Sequence, residues 1–203
     1  MQLVFDLDGV LLDSESDLDW LWGALDATLA DLGKPLTPDH RERLAPGNLR
    51  NIHRVADEWG LPASELWRIR NEHYLDAKLQ AIQSGSIRPF DDVGVIESVS
   101  TGPTHIISNS PQSVVEAFVA SNGFDGLFDV RLGRGNDIGW LDRMKPAPYF
   151  YDQLVATNGE HDDYLYVGNA ETDRAFAETT GMGYHHVDRP AGDGLDALIR
   201  RIE

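Results

Sequence analysis

From Pro89 onward the chain alternates helical and extended segments, and this alternation constrains its fold more than any other feature. Helical periodicity over residues 92–100, 112–122, 148–157, 171–180 and 194–202 is broken by short apolar runs at 104–108, near 128–132, at 164–167 and at 184–187. Runs that short and that apolar suit strands buried on both faces, and strands joined through helices pair in parallel. Leu3 to Phe5 reads as one more short buried strand. The expected fold class is therefore α/β, a Rossmann-like parallel sheet core with helices on both faces. In such sheets ligands sit beyond the carboxyl ends of the strands, and Asp6, Ser108 and Asn169 all fall at expected strand ends.

Residues 16–85 read differently. Leu18, Leu21, Trp22, Leu25, Leu29 and Leu32 recur at helical spacing, Gly33 and Pro35 close that helix, and further helices are expected over 48–60 and, as one or two pieces, over 62–83. Strand signals are missing there. The expected domains are thus a core of residues 1–15 and 86–203 and an inserted α-helical cap of residues 16–85. Gly133, Gly135 and Gly139 have the wrong spacing for a nucleotide loop and read as a flexible connection.

The first strand ends in Asp6-Leu7-Asp8-Gly9. Alternate strand residues share a face, so Asp6 and Asp8 can crowd one spot as the chain leaves the sheet, and Gly9 lets the backbone turn there. Two carboxylates that close call for a shared proton or a cation between them, and a hard divalent ion, Mg2+ first among them, suits such oxygens. The residues alone leave a second reading open, in which both acids cap a helix or decorate a solvated loop.

Composition narrows the partners. Thirty-four acidic against 17 basic side chains give a formal charge of −17, which argues against nucleic acid and anionic membranes. There are no cysteines, and no stretch approaches a membrane-spanning length of apolar residues, so a soluble cytoplasmic protein is expected. The acids are 23 Asp and 11 Glu, and the bases are 14 Arg and only Lys34, Lys78 and Lys145. That balance is similar to proteomes adapted to molar intracellular salt, where dense carboxylates stay solvated and screened, so a halophilic protein is expected.

Four segments, in order, resemble the motifs of the haloacid dehalogenase superfamily over nearly the whole chain. They are Asp6-Leu7-Asp8-Gly9-Val10, His105-Ile106-Ile107-Ser108-Asn109-Ser110, Lys145-Pro146-Ala147-Pro148, and Tyr164 to Asp173 with Gly168-Asn169 at its centre. The resemblance is to the phosphatase branch with an inserted helical cap. It implies that Asp6 is the nucleophile attacking a phosphomonoester and forming an aspartyl-phosphate. Asp8 is implied as acid and base, and its backbone carbonyl as a metal ligand. Ser108 and Lys145, with Asn109 as a weaker candidate, are implied to grip phosphate oxygens. The implied metal set is Asp6, Asp8, Asn169 and Asp173 around Mg2+.

One position departs from the pattern. Asn169 stands where the family usually has a metal-binding aspartate, so it is expected to be a weak ligand, with Asp173 behind it and Glu171 a further acid nearby. The implied activity is Mg2+-dependent hydrolysis of a small phosphorylated metabolite. The alternatives are a non-catalytic or metal-impaired binding protein, marked by Asn169, and a sugar phosphomutase. The latter is disfavoured because Leu18 occupies the position of the mutases' cap histidine. Dehalogenases lack an acid at the position of Asp8. The loop Ala45-Pro46-Gly47-Asn48, near Arg50 and Arg54, is where caps of this type select substrates.

Overall fold

The computed structural model describes residues 1–99, 102–159 and 163–198. In chain order the elements are β1 (Gln2–Phe5), β2 (Leu12–Asp13), α1 (Asp19–Asp31), α2 (Pro38–Leu44), α3 (Leu49–Trp59), α4 (Ala63–Ser84), β3 (Arg88–Pro89), α5 (Ile96–Val99), β4 (Thr104–Pro111), α6 (Gln112–Asn122), β5 (Val130–Arg134), α7 (Tyr149–Asn158), β6 (Tyr164–Gly168), α8 (Glu171–Thr180) and β7 (Gly183–His186). Ser100 at the end of one expected helix, and residues 199–202 of the last expected helix, lie outside the described residues.

Five strands form one sheet in the order β5-β4-β1-β6-β7, and every neighbouring pair is parallel. β1 lies in the middle. All four of its residues are buried, as are all five of β6, which is what coverage by helices on both faces requires. This is the Rossmann-like α/β fold expected from the alternation. Leu3, Val4, Phe5, Ile106, Ile107, Tyr166 and Val167 form the centre of its core.

The chain separates into two compact units. One is Met1–Ser16, Ile87–Arg134 and Arg143–Glu203, and the other is Asp17–Ser86 with Gly135–Asp142. The first contains the sheet and the small antiparallel ribbon in which Leu12 pairs with Pro89 and Asp13 with Arg88. The second is helical. Its α4 is one helix of 22 residues, and α3 buries Ile52, Val55 and Ala56 along one stripe. The short α2 has no counterpart in the expected helices, although Thr37 caps it from His40 N–H at 3.3 Å and Pro38 opens it.

The Gly133 to Gly139 segment is not the flexible connection expected from its glycines. Trp67 Nε1 donates to the Asn136 carbonyl at 2.9 Å, residues Ile138–Trp140 make a 3-10 turn, and a side chain at Gly135 would run into the Trp140 ring. Those glycines serve close packing. Within the same helical unit, Arg70 donates from Nε to Leu44 O and from a terminal nitrogen to Ala45 O, both at 2.7 Å, and so fixes the loop from Ala45 to Asn48. Arg54 is committed to Glu58 at 2.9 Å and Asn51 at 2.6 Å.

Candidate active site

The site grows from the ends of the three central strands. Asp6 follows β1 directly, and its N–H donates to Val167 O on β6 at 2.9 Å, so the ladder continues up to the residue that carries the carboxylate. Its side chain is buried, and Lys145 Nζ lies 2.8 Å from Asp6 Oδ1. The same ammonium reaches Asp173 Oδ1 and the Tyr166 hydroxyl, each at 2.6 Å. Tyr166 in turn donates to Ile107 O at 2.9 Å, which ties the lysine cage to β4.

Asp8 is held by two hydroxyls. Ser14 Oγ donates to its Oδ1 and Ser110 Oγ to its Oδ2, both at 2.6 Å, while Gly9 takes φ 71° and closes the turn with a 2.9 Å bond from its N–H to Leu12 O. Neither serine was singled out from the sequence. Ser110 is brought to Asp8 because β4 runs to Pro111, three residues past the expected end, and Ser108 Oγ accepts from the Ser110 N–H at 3.0 Å.

Ser108 itself is buried within β4, three residues before its end. The Asn109 side chain holds the Lys145 backbone: its Oδ1 accepts from Lys145 N–H at 2.8 Å and its Nδ2 donates to Lys145 O at 3.2 Å. This two-point clamp sets the backbone from which the Lys145 side chain projects.

Asp173 is fully buried in the first turn of α8, where Oδ2 accepts from the N–H groups of Asn169 at 3.1 Å and Ala170 at 3.0 Å. It therefore caps the helix and anchors Lys145 with its two oxygens. Asn169 is half-buried, and its Nδ2 donates to Glu15 Oε2 at 3.3 Å. A side chain on Gly9 would fall 2.1 Å from Asn169 Nδ2 and 2.9 Å from Glu15 Oε2, so only glycine leaves room for that pair beside the Asp6-Asp8 turn. Glu171 is exposed. A cleft of about 830 Å³ opens along Gly9, Glu15, Asn169, His186 and Arg189. Contacts thus join Asp6, Lys145, Asp173, Asn169 and Asn109 into one network, with Asp8 and Ser108 linked through Ser110.

The electrostatics are unbalanced. Burial, and then the nearby Asp173 and Asp8 charges, push the Asp6 carboxyl up from 3.8 to about 7 although Lys145 pulls the other way. Burial works against the Lys145 ammonium, yet Asp6 and Asp173 outweigh it and raise its pKa. Burial also holds the Tyr166 hydroxyl neutral, well above its ordinary value. One ammonium facing several carboxylates leaves surplus negative charge at the strand ends. Oxygen donors with surplus negative charge suit a hard divalent cation such as Mg2+, but among the described residues no three His, Cys, Asp or Glu side chains are grouped to hold one, so such an ion would draw on backbone and amide oxygens as well.

Carboxylates, a caged lysine and hydroxyls at the C-terminal edge of a parallel sheet define an α/β enzyme equipped to act on a charged group. The chain belongs to the haloacid dehalogenase-like hydrolases, a family that matches it over residues 2–181. It is 27% identical over 217 residues to phosphoglycolate phosphatase 1 of Pseudomonas aeruginosa, covering 97% of this chain and 75% of that protein. In fold it is similar to a haloacid dehalogenase-like family protein from Streptococcus pneumoniae, with a TM-score of 0.66 and 19% identity over 100% of this chain and 90% of that one. It is also similar to CbbY from Rhodobacter sphaeroides, solved in complex with phosphate, with a TM-score of 0.67 and 18% identity over 92% of this chain and 85% of that one. Among the described residues no helix is long and apolar enough to cross a membrane.

Proposed function

We propose that this hydrolase is a Mg2+-dependent phosphatase that cleaves a small phosphomonoester by way of an aspartyl-phosphate on Asp6. The observation that carries this reading is the pairing of Asp6 with Lys145 at 2.8 Å, two residues before an Asp8 whose carboxylate is fixed by two serine hydroxyls. A nucleophile, a cation beside it and an oriented acid are what phosphoryl transfer needs, because its transition state is served by positioning and by fixed positive charge.

In the first step an Asp6 carboxylate oxygen attacks the phosphorus and the bond to the ester oxygen breaks, while Asp8 gives its proton to the departing alcohol. In the second, Asp8 takes a proton from water, the water oxygen attacks the same phosphorus, and the bond to Asp6 breaks to release inorganic phosphate. Lys145 and the Ser108 hydroxyl bind phosphoryl oxygens through both steps, and Asn109 keeps Lys145 in place. The Asp6 carboxylate, the Asp8 backbone carbonyl and the Asn169 side chain would hold Mg2+, with Asp173 behind them. When bound, the ion draws charge from the phosphoryl oxygens and keeps Asp6 ionised near neutral pH.

The relative from Pseudomonas aeruginosa is named for phosphoglycolate, which makes a short phosphorylated carboxylate the first substrate to try. The helical unit containing residues 17–86 serves as the cap that selects it, with the loop at Ala45 to Asn48 as its specificity element. A non-catalytic reading rests on Asn169 alone and is opposed by the intact Asp6, Asp8, Ser108 and Lys145. The test is a panel of phosphomonoesters, phosphoglycolate and sugar phosphates included, assayed for phosphate release with and without Mg2+. Release from at least one ester that stops on chelation supports the reading, and no release from any of them contradicts it.

A further inference from the structure

We propose that Glu15 is the positioning residue that allows an asparagine to serve at the metal site, by accepting from Asn169 Nδ2 and returning the negative charge that the asparagine lacks. The inference rests on the metal-dependent reading above and concerns a residue outside the four motifs. An asparagine, unlike an aspartate, has one end that can bind a cation and one that cannot. Its amide must be turned so that Oδ1 faces the ion, and the nitrogen then needs an acceptor on the opposite side.

Glu15 supplies that acceptor. Its Oε2 lies 3.3 Å from Asn169 Nδ2, and the contact spans the end of β6 and the loop after β2. The backbone on the other side of Asn169 is fixed independently, by Asp173 Oδ2 at 3.1 Å from its N–H. Gly9, beside Asp8, adds a second constraint: an ideal Cβ there would meet Asn169 Nδ2 at 2.1 Å and Glu15 Oε2 at 2.9 Å, so the pair is packed against the turn that carries Asp8. Gly9, Glu15 and Asn169 therefore share one wall of the 830 Å³ cleft, beside the turn that carries Asp8.

The chemistry follows from where the charge sits. A carboxylate accepting from the amide nitrogen polarises the amide and enriches its oxygen, and it places a full negative charge one group away from the cation instead of in contact with it. Asn169 and Glu15 together then do what a single aspartate does elsewhere in the family. Glu15 is exposed, so solvent screens part of its charge, and the effect belongs at the lower end of what partners behind metal ligands contribute, about tenfold in affinity.

The test is a double-mutant cycle read by isothermal titration with MgCl2, using wild type, Glu15→Gln, Asn169→Asp and the double variant, each checked for folding by circular dichroism. Glu15→Gln is expected to weaken Mg2+ binding about tenfold, and Asn169→Asp to tighten it. In the aspartate background the Glu15→Gln change is expected to cost nothing or to tighten binding, because Glu15 then has no amide to orient and repels a second carboxylate. Unchanged affinity in Glu15→Gln, or an equal loss in both backgrounds, overturns the proposal while leaving the phosphatase reading intact. Wild type that binds no Mg2+ overturns both. The expected cycle in a protein that releases phosphate from no ester sinks only the phosphatase reading.

Discussion

The Lys145 ammonium and the Asp6 carboxylate form an ion pair of 2.8 Å inside the protein, with the lysine side chain only 2% exposed. Removing the cation leaves Asp6 and Asp173 buried without a counter-charge. Breaking a buried pair from one side costs about 3–5 kcal/mol, and losing a fixed donor to the phosphoryl oxygens costs roughly 10²–10³-fold in kcat. Lys145→Met is therefore expected to lower the unfolding midpoint in denaturant and to depress turnover together. Lys145→Arg should not restore turnover, because a planar guanidinium cannot replace a compact ammonium in a cage of three oxygens. Equal stability of Lys145→Met and wild type would show that the pair is not buried as described.

The raised Asp6 pKa has a defined consequence for stability in the absence of metal. Its folded value of about 7 lies above the ordinary 3.8, so between those values the native state holds a proton that the unfolded state has lost. Stability contributed by this group is then present at low pH and is lost as pH rises through 7. Asp6→Asn cannot titrate. In EDTA, its stability relative to wild type should grow between about pH 5 and pH 8, as read by urea unfolding at each pH, and added Mg2+ should shrink the difference at pH 8. A difference independent of pH would place the Asp6 carboxyl in an ordinary solvated environment.

Asp8 is expected to act through its proton, and its two serines through its orientation. Asp8→Asn should slow turnover by about 10²–10⁴-fold. Ser110→Ala should lower kcat by roughly tenfold, equivalent to about 1.4 kcal/mol, with little change in KM, because in the proposed mechanism the serine orients Asp8. A Ser110→Ala variant with wild-type kcat would mean that Ser14 alone suffices to hold Asp8.

Much of this arrangement could be read from the order of residues. The apolar runs at Leu3 to Phe5 and Tyr164 to Val167 are local signals and became β1 and β6, and the periodicity over residues 171–180 became α8. The strand expected near 128–132 formed instead at Val130–Arg134. Phe128 is a core residue in the turn before it, edge-on to Phe5 with 6.3 Å between ring centroids, so its hydrophobicity marks packing and not the strand. Ser110 lies two residues beyond the expected end of the strand at Ser108, and only the length of β4 brings it to Asp8. Ser14 and Glu15 were illegible for a related reason. Their partners are fixed by the turn at Gly9 and by the β1–β6 register, neither of which leaves a periodic trace in the sequence.

The acidic surface carries a separate expectation. At 0.01 M salt the Debye length is about 30 Å and at 1 M about 3 Å, so repulsion among 34 acids opposed by 17 bases is long-ranged in dilute buffer and confined to contacts in concentrated salt. The thermal midpoint should rise from low to molar KCl. Part of any rise comes from salting-out of apolar surface, so a variant with several surface Asp→Asn changes should rise less. A midpoint independent of KCl would contradict adaptation to salt.

Asp6→Asn is the most direct test of the proposed chemistry, because it preserves the size of the side chain proposed to take the phosphoryl group and replaces its carboxylate with an uncharged amide. Phosphate release should be followed for both proteins with saturating Mg2+ on the best ester found in the panel. Turnover by wild type and none measurable by Asp6→Asn is the expected result. Turnover by Asp6→Asn at the wild-type rate would contradict the aspartyl-phosphate mechanism.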